Sequence, residues 1–409
     1  MEHPKLRPVE AFPLEISGRQ MIALRDPARI ARDTVFVSED LLFILQFFDG
    51  KHSLTDIQQQ YFQHFHHLIS EEQINRVVFD LDKRLFLESD YFKTYKATLM
   101  QEYRQMPTRA AAFAGQSYAE QPEALRKQLA DFFQSARAQL NSGLDDVAIE
   151  NNHLKGLVVP HIDIQAGGIT FAAGYTVLAQ TPPNDIYIIL GTGHNGISNA
   201  FACSDKDFDT PLGVVKTDKS FLRSLQSKLE QDIFTEELNH KNEHTIEFQT
   251  IFLQYLFGKH DNWRIVPILC SFGPQLVQND APESKAIHDF LNALKQTIQE
   301  TQLRVCVIAS ADLSHIGQRY GDAFQPDQKV LLELNQKDRR TLEFIEKMDV
   351  TSFVVSVAED EQERRICGFP PIYSLLKLID ANHGKLLHYD HVSVDQFHST
   401  VSFASIIFH

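Results

Sequence analysis

The 409-residue sequence has few cysteines, and those it has do not form a recognisable framework. Its four cysteines are Cys203, Cys270, Cys306 and Cys367, and no two of them have the CxxC spacing of a zinc or redox motif. Cys270 and Cys306 fall in or at the end of predicted strands, where a thiol behaves as a small apolar side chain. This usage excludes a disulfide scaffold and is typical of a reducing compartment.

The sequence also lacks long hydrophobic runs and an excess of positive charge. No apolar run approaches the length of a membrane span, and residues 1–5 lack the apolar segment of a secretory signal. Asp and Glu number 54 against 39 Lys and Arg, and the formal net charge of −15 disfavours a phosphate backbone as partner. We therefore expect a cytoplasmic protein, with two or three domains, that binds neither membranes nor nucleic acid.

What the sequence does contain is a repeated pattern in which a short apolar, β-branched run ends at a small or cyclic residue and a histidine follows. Such runs are typical of buried strands in a parallel sheet, and ligands gather beyond the carboxyl ends of these strands. Strands and helices alternate along this part of the chain, with later strands predicted at 264–270 and 400–408, and this alternation predicts a layered α/β sheet. The three runs and their histidines are 156–159 with His161, 186–190 with His194, and 305–309 with His315.

Further polar side chains fall close to these strand ends. His244 enters an apolar helix, Asp312 follows the third run, and Asp163 offers an additional oxygen. Cys367 precedes a helix predicted over 372–379, so the helix dipole is expected to lower the pKa of its thiol. Imidazole and thiolate together suit zinc, iron or copper.

Taken singly, each of these residues has a structural alternative. A histidine after a strand is more often a hydrogen-bonded loop residue than a ligand, and Asp312 with Ser314 is compatible with a turn. Cys367 is compatible with a small buried side chain, and Glu247 with a surface acid that pairs with a lysine. The three strand-end histidines favour a polar site because the sheet itself brings such ends together.

Residues 8–95 predict a separate domain, and residues 96–107 a helical linker. Val35–Val37 and Leu85–Leu87 predict short strands, and Ser38, Ser53 and Ser70 predict the starts of three helices. The result is a small, winged-helix-like α+β domain. Its neighbouring histidines are expected to form a solvated cluster rather than a metal site; they are His64, His66 and His67.

This segment resembles the PqqD-like, RiPP-recognition-element family. The resemblance rests on Phe47-Phe48-Asp49-Gly50, on Ser53-Leu54-Thr55-Asp56-Ile57 and on Leu81-Asp82-Lys83-Arg84-Leu85-Phe86-Leu87. That family holds a peptide by strand addition, so the resemblance implies a peptide-binding domain. The alternative is a domain that only packs on its neighbour.

Residues 108–409 resemble the Memo family, protein B of the AmmeMemoRadiSam system. The resemblance implies a layered αβα sheet similar to class III extradiol dioxygenases, which hold non-haem iron with two histidines and a carboxylate. The motifs that carry it are Arg109 with Ala114-Gly115-Gln116-Ser117-Tyr118, Val159-Pro160-His161 with Gly168, Leu190-Gly191-Thr192-Gly193-His194, Thr210-Pro211-Leu212-Gly213, Glu243-His244-Thr245-Ile246-Glu247, Ser310-Ala311-Asp312-Leu313-Ser314-His315-Ile316-Gly317 and Ile366-Cys367-Gly368.

The resemblance implies a ligand set of His161, His194 and Cys367, in which the cysteine replaces the dioxygenase carboxylate. It also implies that His244 acts as acid and base, and we expect Asp312 and His315 to orient the other groups. Members of the family are described as binding copper or iron, with a redox role proposed.

The sequence departs from the family around these residues: Ile162 replaces an aromatic, Asn195 replaces a second histidine, and Thr250-Ile251 replaces a proline.

Three functions follow from these observations. The first is a metal-binding, dioxygenase-like redox enzyme that acts with a radical-SAM system. The second is a non-catalytic accessory protein whose N-terminal domain grips a peptide or a radical-SAM partner. The third is a zinc-dependent hydrolase in which His244 serves as the base. The sequence alone does not choose among them.

Overall fold

The computed structural model describes residues 1–16, 18–140, 144, 149, 153–278 and 281–409. The chain divides into two compact units, residues 1–105 and residues 106–409. One apolar cluster forms the core of the first unit, and two large clusters lie within the second. None of the helices in these ranges combines the length and hydrophobicity that a membrane crossing requires.

The first unit is an antiparallel sheet of order β1-β2-β3 followed by helices. Its strands are β1 (Glu10–Ile16), β2 (Arg19–Arg25) and β3 (Val35–Val37). Its helices are α1 (Glu39–Leu45), α2 (Leu54–Phe65), α3 (Glu71–Lys83) and α4 (Asp90–Gln105).

The predicted helix starts in this unit are confirmed. Ser53 and Ser70 each accept a hydrogen bond from the backbone three residues on, and Asp56 and Gln73 return one, so both helices begin with a capping box. Ser38 precedes α1 without a side-chain capping bond. Residues 96–105, predicted as linker, form the C-terminal part of α4.

The prediction of a strand at Leu85–Leu87 is wrong. Leu85 has a left-handed backbone (φ 66°), which turns the chain out of α3, and Leu87 forms only a single bridge with Leu6. The small sheet is instead completed by β1 and β2, which precede the helices. Proline is typical of edge strands, and Pro13 lies in β1, an edge strand of this sheet; it masked the strand pattern in the sequence.

The second unit is built on a mixed sheet of order β12-β14-β5-β11-β6-β10-β7, with β13 also paired to β14 and a separate small sheet β4-β8-β9. Its strands are β4 (Thr108–Arg109), β5 (Gly156–Val159), β6 (Ile186–Thr192), β7 (Phe201–Cys203), β8 (Asp207–Thr210), β9 (Gly213–Val215), β10 (Arg264–Cys270), β11 (Val305–Ser310), β12 (Asp312–Ile316), β13 (Gly384–Ser393) and β14 (Thr400–Phe408).

Helices connect these strands. They are α5 (Pro122–Leu140), α6 (Ile164–Leu178), α7 (Lys219–Gln226), α8 (His244–Phe257), α9 (Pro282–Glu300), α10 (Gln328–Glu346), α11 (Val350–Ala358), α12 (Glu361–Arg364) and α13 (Phe369–Leu378), with 3-10 turns at Glu237–Asn242, Pro274–Val277 and Gln318–Tyr320.

The four central strands, β5, β11, β6 and β10, run parallel. Their register sets Ser310 beside both Val159 and Gly191, so the carboxyl ends of β5, β11 and β6 finish at the same level of the sheet. Successive side chains of a strand point to opposite faces. Ile186 and Ile188 accordingly belong to one apolar cluster and Tyr187 and Ile189 to the other.

Helices cover both faces of this sheet. Side chains of α7, α9, α11 and α13 fill one cluster, and those of α5, α6 and α8 fill the other. Gly168 in α6 lets the helix approach its neighbour, because a Cβ there would lie 2.4 Å from the Phe132 ring. The strands predicted at 156–159, 264–270 and 400–408 are present at those bounds, and β12 was not predicted as a strand.

Candidate metal centre

Four predicted site residues meet at the carboxyl edge of the central strands. His161 follows β5, His194 follows β6, His244 is the first residue of α8, and Cys367 precedes α13. The ligand atoms of His161, His194 and Cys367 all lie within 4.8 Å of one another, and His161 Nε2 is 3.2 Å from Cys367 Sγ. The ring of His194 stacks on that of His244, with centroids 5.2 Å apart and an interplanar angle of 9°.

The three imidazoles share one feature, which is that Nδ1 of each ring lies against a fixed hydrogen-bond acceptor. His161 Nδ1 lies 2.9 Å from the carbonyl oxygen of Ser310, which can only accept a hydrogen bond. The Nδ1 atoms of His194 and His244 lie 3.1 Å and 3.0 Å from carboxylate oxygens of Glu243. In its neutral form each ring therefore carries its proton on Nδ1, so that Nε2 keeps its lone pair for a metal or a proton.

Glu243 serves both His194 and His244. Its side chain is the N-cap of α8 and accepts from the backbone N–H groups of His244 and Thr245, and Glu243 also accepts from the backbone N–H of His194 at 3.0 Å. Burial raises the pKa of the Glu243 carboxyl, but His194 and the hydrogen bonds from both rings outweigh this and hold the pKa well below its usual value. A charged carboxylate therefore sits behind two imidazoles, the outer-shell arrangement that orients metal-binding histidines.

His161 and His194, the two histidines beside the Cys367 thiol, have pKa values that are shifted in opposite directions. Burial lowers the pKa of His161 well below its usual value, and the neighbouring His194 and His244 lower it further. The packing around the His194 ring also lowers its pKa, but the Glu243 carboxylate opposes this and leaves the pKa of His194 well above the usual value. Neutral His161 is the form that can bind a metal.

The expectation of a lowered pKa for Cys367 is wrong. Burial raises the pKa of the thiol, and the hydrogen bond with His194 only partly offsets that effect. The charge at the start of α13 is outweighed because the sulfur is largely shielded from water. A metal cation would provide the charge that favours the thiolate.

Asp312 lies within the site, whereas His315 stands beside it. Asp312 is the first residue of β12, and its carboxylate accepts from the backbone N–H of His161 at 2.9 Å and lies 3.6 Å from His161 Nε2. His315 Nδ1 bonds the carbonyl of Leu313, and its ring packs edge-on against Tyr320. Asp312 thus holds the backbone of His161, one of the candidate ligands.

The candidate oxygen of Asp163 has a different role. Its carboxylate caps α6 by accepting from the backbone N–H of Gln165, and it belongs to neither of the groups of potential metal ligands among the described residues. The structural alternative for Glu247, a surface acid that pairs with a lysine, is also wrong. Glu247 is fully buried, where it pairs with Arg109 and accepts from the hydroxyl of Tyr118.

Arg109 and Glu247 stabilise the chain segment that leads into α8. Arg109 also donates to the carbonyl oxygens of His240 and Glu243, which fixes the turn that leads into α8. The backbone N–H of Phe113 donates to Glu247 and places the Phe113 ring 5.6 Å from that of His244. These contacts position His244 without touching a ligand atom.

Gln249 and Ser310 were not predicted as site residues. The Gln249 side-chain amide donates to the carbonyl of Pro160 and to the hydroxyl of Ser310, while Ser310 donates to the carbonyl of Thr245. Together they join the ends of β5 and β11 to α8. Gln249 belongs to none of the motifs singled out in the sequence, so no signal there identifies its role.

The position of Cys367 depends on the residue that follows it. Gly368 donates a backbone hydrogen bond to the carbonyl of Asp312 at 3.0 Å, and a Cβ at Gly368 would lie 2.3 Å from that oxygen. The carbonyl of Cys367 accepts from the hydroxyl of Thr192 at the end of β6. The glycine therefore lets the cysteine loop approach β12 and the sheet closely.

Comparison with known proteins agrees with the motifs. The model of the Memo-like protein family matches residues 109–407. A MEMO1 family protein of Aquifex aeolicus is 28% identical over 409 residues, with 99% of this chain and 100% of the relative covered. A MEMO1 family protein of Methanopyrus kandleri is 30% identical, with 73% of this chain and 98% of the relative covered. One of Saccharolobus solfataricus is 32% identical, with coverage of 64% and 84%.

Proposed function

The chain belongs to the Memo-like protein family, and on that premise we propose that it binds iron or copper through His161, His194 and Cys367 and works as a non-haem oxidoreductase. The proposal includes a fold relationship to class III extradiol dioxygenases, as the family resemblance implies. One observation carries it. Two imidazoles, those of His161 and His194, hold Nδ1 against fixed acceptors and have ligand atoms that lie within 4.8 Å of the Cys367 sulfur.

The donor set fits a transition metal. Two neutral imidazole nitrogens and one thiolate are borderline-soft ligands that suit iron, copper or zinc, and the ligand atoms are already grouped within 4.8 Å. Three protein ligands leave coordination positions open, and a bound iron or copper ion would supply electron transfer at those positions.

His194, Glu243 and His244 form a second group, but the Nδ1 atoms bonded to Glu243 make it a hydrogen-bond relay rather than a second ligand set.

The remaining residues prepare this chemistry. His244 offers a free Nε2 that takes or returns a proton, while Glu243 holds its ring parallel to that of His194. Asp312 fixes the backbone of His161, and the ring of His315 packs edge-on against Tyr320 beside the site.

Metal analysis of the full chain, purified without an affinity tag, tests the proposal. We expect about one equivalent of iron or copper in the wild type and none in Cys367→Ala. Zinc alone would favour the hydrolase, with His244 as base, and no metal would favour an accessory role. A ring-cleavage assay on several catechols after anaerobic iron loading then tests the dioxygenase version, which is lost if no yellow ring-fission product forms.

A second function is supported by the first unit. β3 is an edge strand, and a cavity of about 380 Å³ lies between β3 and α3, lined by residues that include Val35, Phe36, Leu41 and Val77. Phe36 is 49% exposed on this strand. We propose, in line with the PqqD-like resemblance, that a peptide or a radical-SAM partner adds a strand here.

Phe36→Lys tests this function, with Phe62→Lys on α2 as the matched control, because Phe62 is similarly exposed (47%) and does not line this cavity. A radical-SAM protein recovered with wild type and with Phe62→Lys, but lost with Phe36→Lys, supports strand addition. Equal recovery with both variants contradicts it.

A further inference from the structure

Arg365, two residues before Cys367, has a backbone conformation that is unusual for an arginine. It ends α12 with φ 47° and ψ 55°, in the left-handed region that glycine usually occupies at the end of a helix. Side chains with a Cβ are disfavoured there, so such a residue persists only where its surroundings fix it. The contacts of the Arg365 side chain therefore bear on the position of the cysteine that follows.

The guanidinium of Arg365 binds the carboxylate of Asp322 through two hydrogen bonds. Its Nη2 lies 2.7 Å from Asp322 Oδ1, and its Nη1 lies 3.2 Å from Asp322 Oδ2. Nη1 also lies 3.3 Å from the carbonyl oxygen of His315 in β12. Arg365 thus joins the end of α12 to β12 and to the segment that follows it, residues 317–322.

Asp322 is itself held in place by this segment. Its Oδ2 accepts from the backbone N–H of Gly317 at 2.8 Å, and its side chain is only 12% exposed. Gly317 has φ 103° and lies so close to Ser399 that a Cβ would stand 2.7 Å from the Ser399 Cα. Asp322 is therefore a fixed partner for Arg365. A bidentate pair of arginine and carboxylate is also the geometry in which a partly exposed ion pair is strongest.

The chain on the other side of Cys367 is fixed by contacts of its own. The carbonyl of Cys367 accepts from the hydroxyl of Thr192, and the backbone N–H of Gly368 donates to the first residue of β12. Arg365 supplies the corresponding contact before the cysteine. Between these two points the Cys367 sulfur lies 3.2 Å from Nε2 of the candidate ligand His161.

We propose that Arg365 is a positioning residue for Cys367 and that it acts through its pair with Asp322. The pair holds the end of α12 in its left-handed conformation and thereby keeps the sulfur beside His161, ready for a metal ion. This role rests on the proposed function, because it concerns a ligand of the proposed metal site. It is tested on the metal-free chain, so its failure is distinguishable from a failure of metal binding.

The rate at which iodoacetamide alkylates Cys367 measures how firmly the sulfur is held. The thiol loses its proton to the buffer, the thiolate attacks the methylene carbon, a carbon–sulfur bond forms and iodide leaves. Cys367 is partly exposed and the other three cysteines are fully buried, so Cys367 reacts first. Mass spectrometry counts the adduct, and Cys367→Ser gives the background.

Two variants break the pair from opposite sides. Arg365→Gly removes the guanidinium and leaves a residue that adopts the left-handed conformation without strain, so the variant is expected to fold. Asp322→Asn removes the charge and keeps an oxygen that can accept from Gly317. We expect Arg365→Gly to raise the rate by roughly tenfold, the size of one charged hydrogen-bonded pair, and Asp322→Asn to raise it by a smaller factor. The double variant should react no faster than Arg365→Gly, because both substitutions break the same pair.

The direction of these changes separates positioning from a charge effect. Loss of a nearby cation disfavours the thiolate and would slow the reaction, whereas loss of a nearby anion would speed it. Positioning predicts faster reaction in both single variants. The matched control is Arg319→Ala, which removes an exposed charge from the 317–322 segment and leaves the Arg365–Asp322 pair intact. It should react at the wild-type rate.

Three results would overturn the proposal: a wild-type rate in Arg365→Gly, opposite changes in Arg365→Gly and Asp322→Asn, or an equal rise in Arg319→Ala. Urea denaturation of the same variants provides a second measurement. A partly exposed ion pair contributes little to overall stability, so the urea midpoint of Asp322→Asn should stay close to that of the wild type while its Cys367 reacts faster. A midpoint that falls in proportion to the rise in rate would instead assign the effect to general unfolding and contradict a positioning role.

Discussion

Each unit of the chain contains a set of three neighbouring histidines, but only one set converges. In the first unit the three rings are exposed and turn to different partners: His64 stacks on Phe43, His66 ends α2 with a left-handed backbone, and His67 bonds the hydroxyl of Tyr61. None of these histidines belongs to a group of three potential ligands within the described ranges.

The histidines of the second unit are far apart in sequence and close in space. His161, His194 and His244 come from two strand ends and a helix start, yet their ring centroids lie 5.1 to 5.6 Å apart. Their Nδ1 atoms are held by the carbonyl oxygen of Ser310 and by the carboxylate of Glu243. The comparison teaches that histidines converge through the alignment of parallel strand ends and through fixed ring orientation. A high local density of histidine in the sequence is not sufficient.

The largest expected effect is the loss of a ligand. His161→Ala and Cys367→Ala should each weaken metal binding by more than roughly 100-fold, because the loss of an outer-shell partner alone costs about 10–100-fold. Competition against a chromophoric chelator, with zinc as the probe ion, measures the affinity. The control replaces the exposed set together, as His64→Ala, His66→Ala and His67→Ala. Equal losses in control and ligand variants would contradict the contrast between the two sets.

Each unit also contains a buried ion pair between an arginine and a carboxylate, and replacing the carboxylate in each pair allows a second comparison of the two units. Arg109 with Glu247 and Arg7 with Asp26 are both buried, but only the first pair fixes the turn before α8. Glu247→Ala and Asp26→Ala should each lower the free energy of unfolding by about 3–5 kcal/mol, because each leaves an unpaired buried arginine.

Urea denaturation measures the stability of both variants, and chelator competition measures their metal affinity. Metal affinity should fall only in Glu247→Ala. A fall in Asp26→Ala of the same size would show that general destabilisation, and not the support of α8, weakens the site.

The buried His240 predicts a pH dependence. Burial lowers its pKa from 6.5 to about 4, while the hydrogen bond with Ala202 partly opposes the shift. Between these values the unfolded chain binds more protons than the folded chain, so stability falls as the pH falls from 6.5 to about 4, by about 3 kcal/mol in total for this group. His240→Gln should flatten the dependence of unfolding free energy on pH in that window, measured by urea titrations. An unchanged slope would contradict the shift.

Substitution of the shared acceptor gives the smallest effect of the series. Glu243→Gln leaves one acceptor oxygen for two Nδ1–H groups, so we expect metal affinity to fall by about 10–100-fold. The control is Glu236→Gln, a nearby carboxylate that bonds Ser198 and Asn199 and contacts neither ring. Equal affinity in Glu243→Gln and the wild type would show that the rings are oriented by packing alone.

Much of the second unit follows from local patterns. Short apolar runs rich in β-branched residues are typical of buried strands. Such runs predict strands at 156–159, 264–270 and 400–408, and the observed strands begin and end at the same residues. The meeting of His161 with His194 follows from the parallel alignment of strand ends. The strand at Asp312–Ile316 was missed because its pairing with β14 is long-range and its serine and histidine resemble a turn.

Other features depend on tertiary packing that no local pattern encodes. The sequence shows Glu243 only as an acid before a helix, and its two imidazole contacts arise because Thr245 bonds the end of β6 and brings α8 over the sheet. The pKa of Cys367 was expected to fall, but the balance between burial and the helix dipole depends on the neighbours of the sulfur. In the first unit, Pro13 concealed a strand whose partner lies across a hairpin.

Cobalt(II) titration of the metal-free full chain tests the central claim most directly. A thiolate and imidazoles around one ion predict a sulfur-to-cobalt charge-transfer band that saturates at one equivalent in the wild type. The band should be absent in Cys367→Ala and should persist when His64, His66 and His67 are replaced by alanine. A band that survives in Cys367→Ala, or a wild-type chain that gives none, would contradict the convergence of these side chains on a single ion.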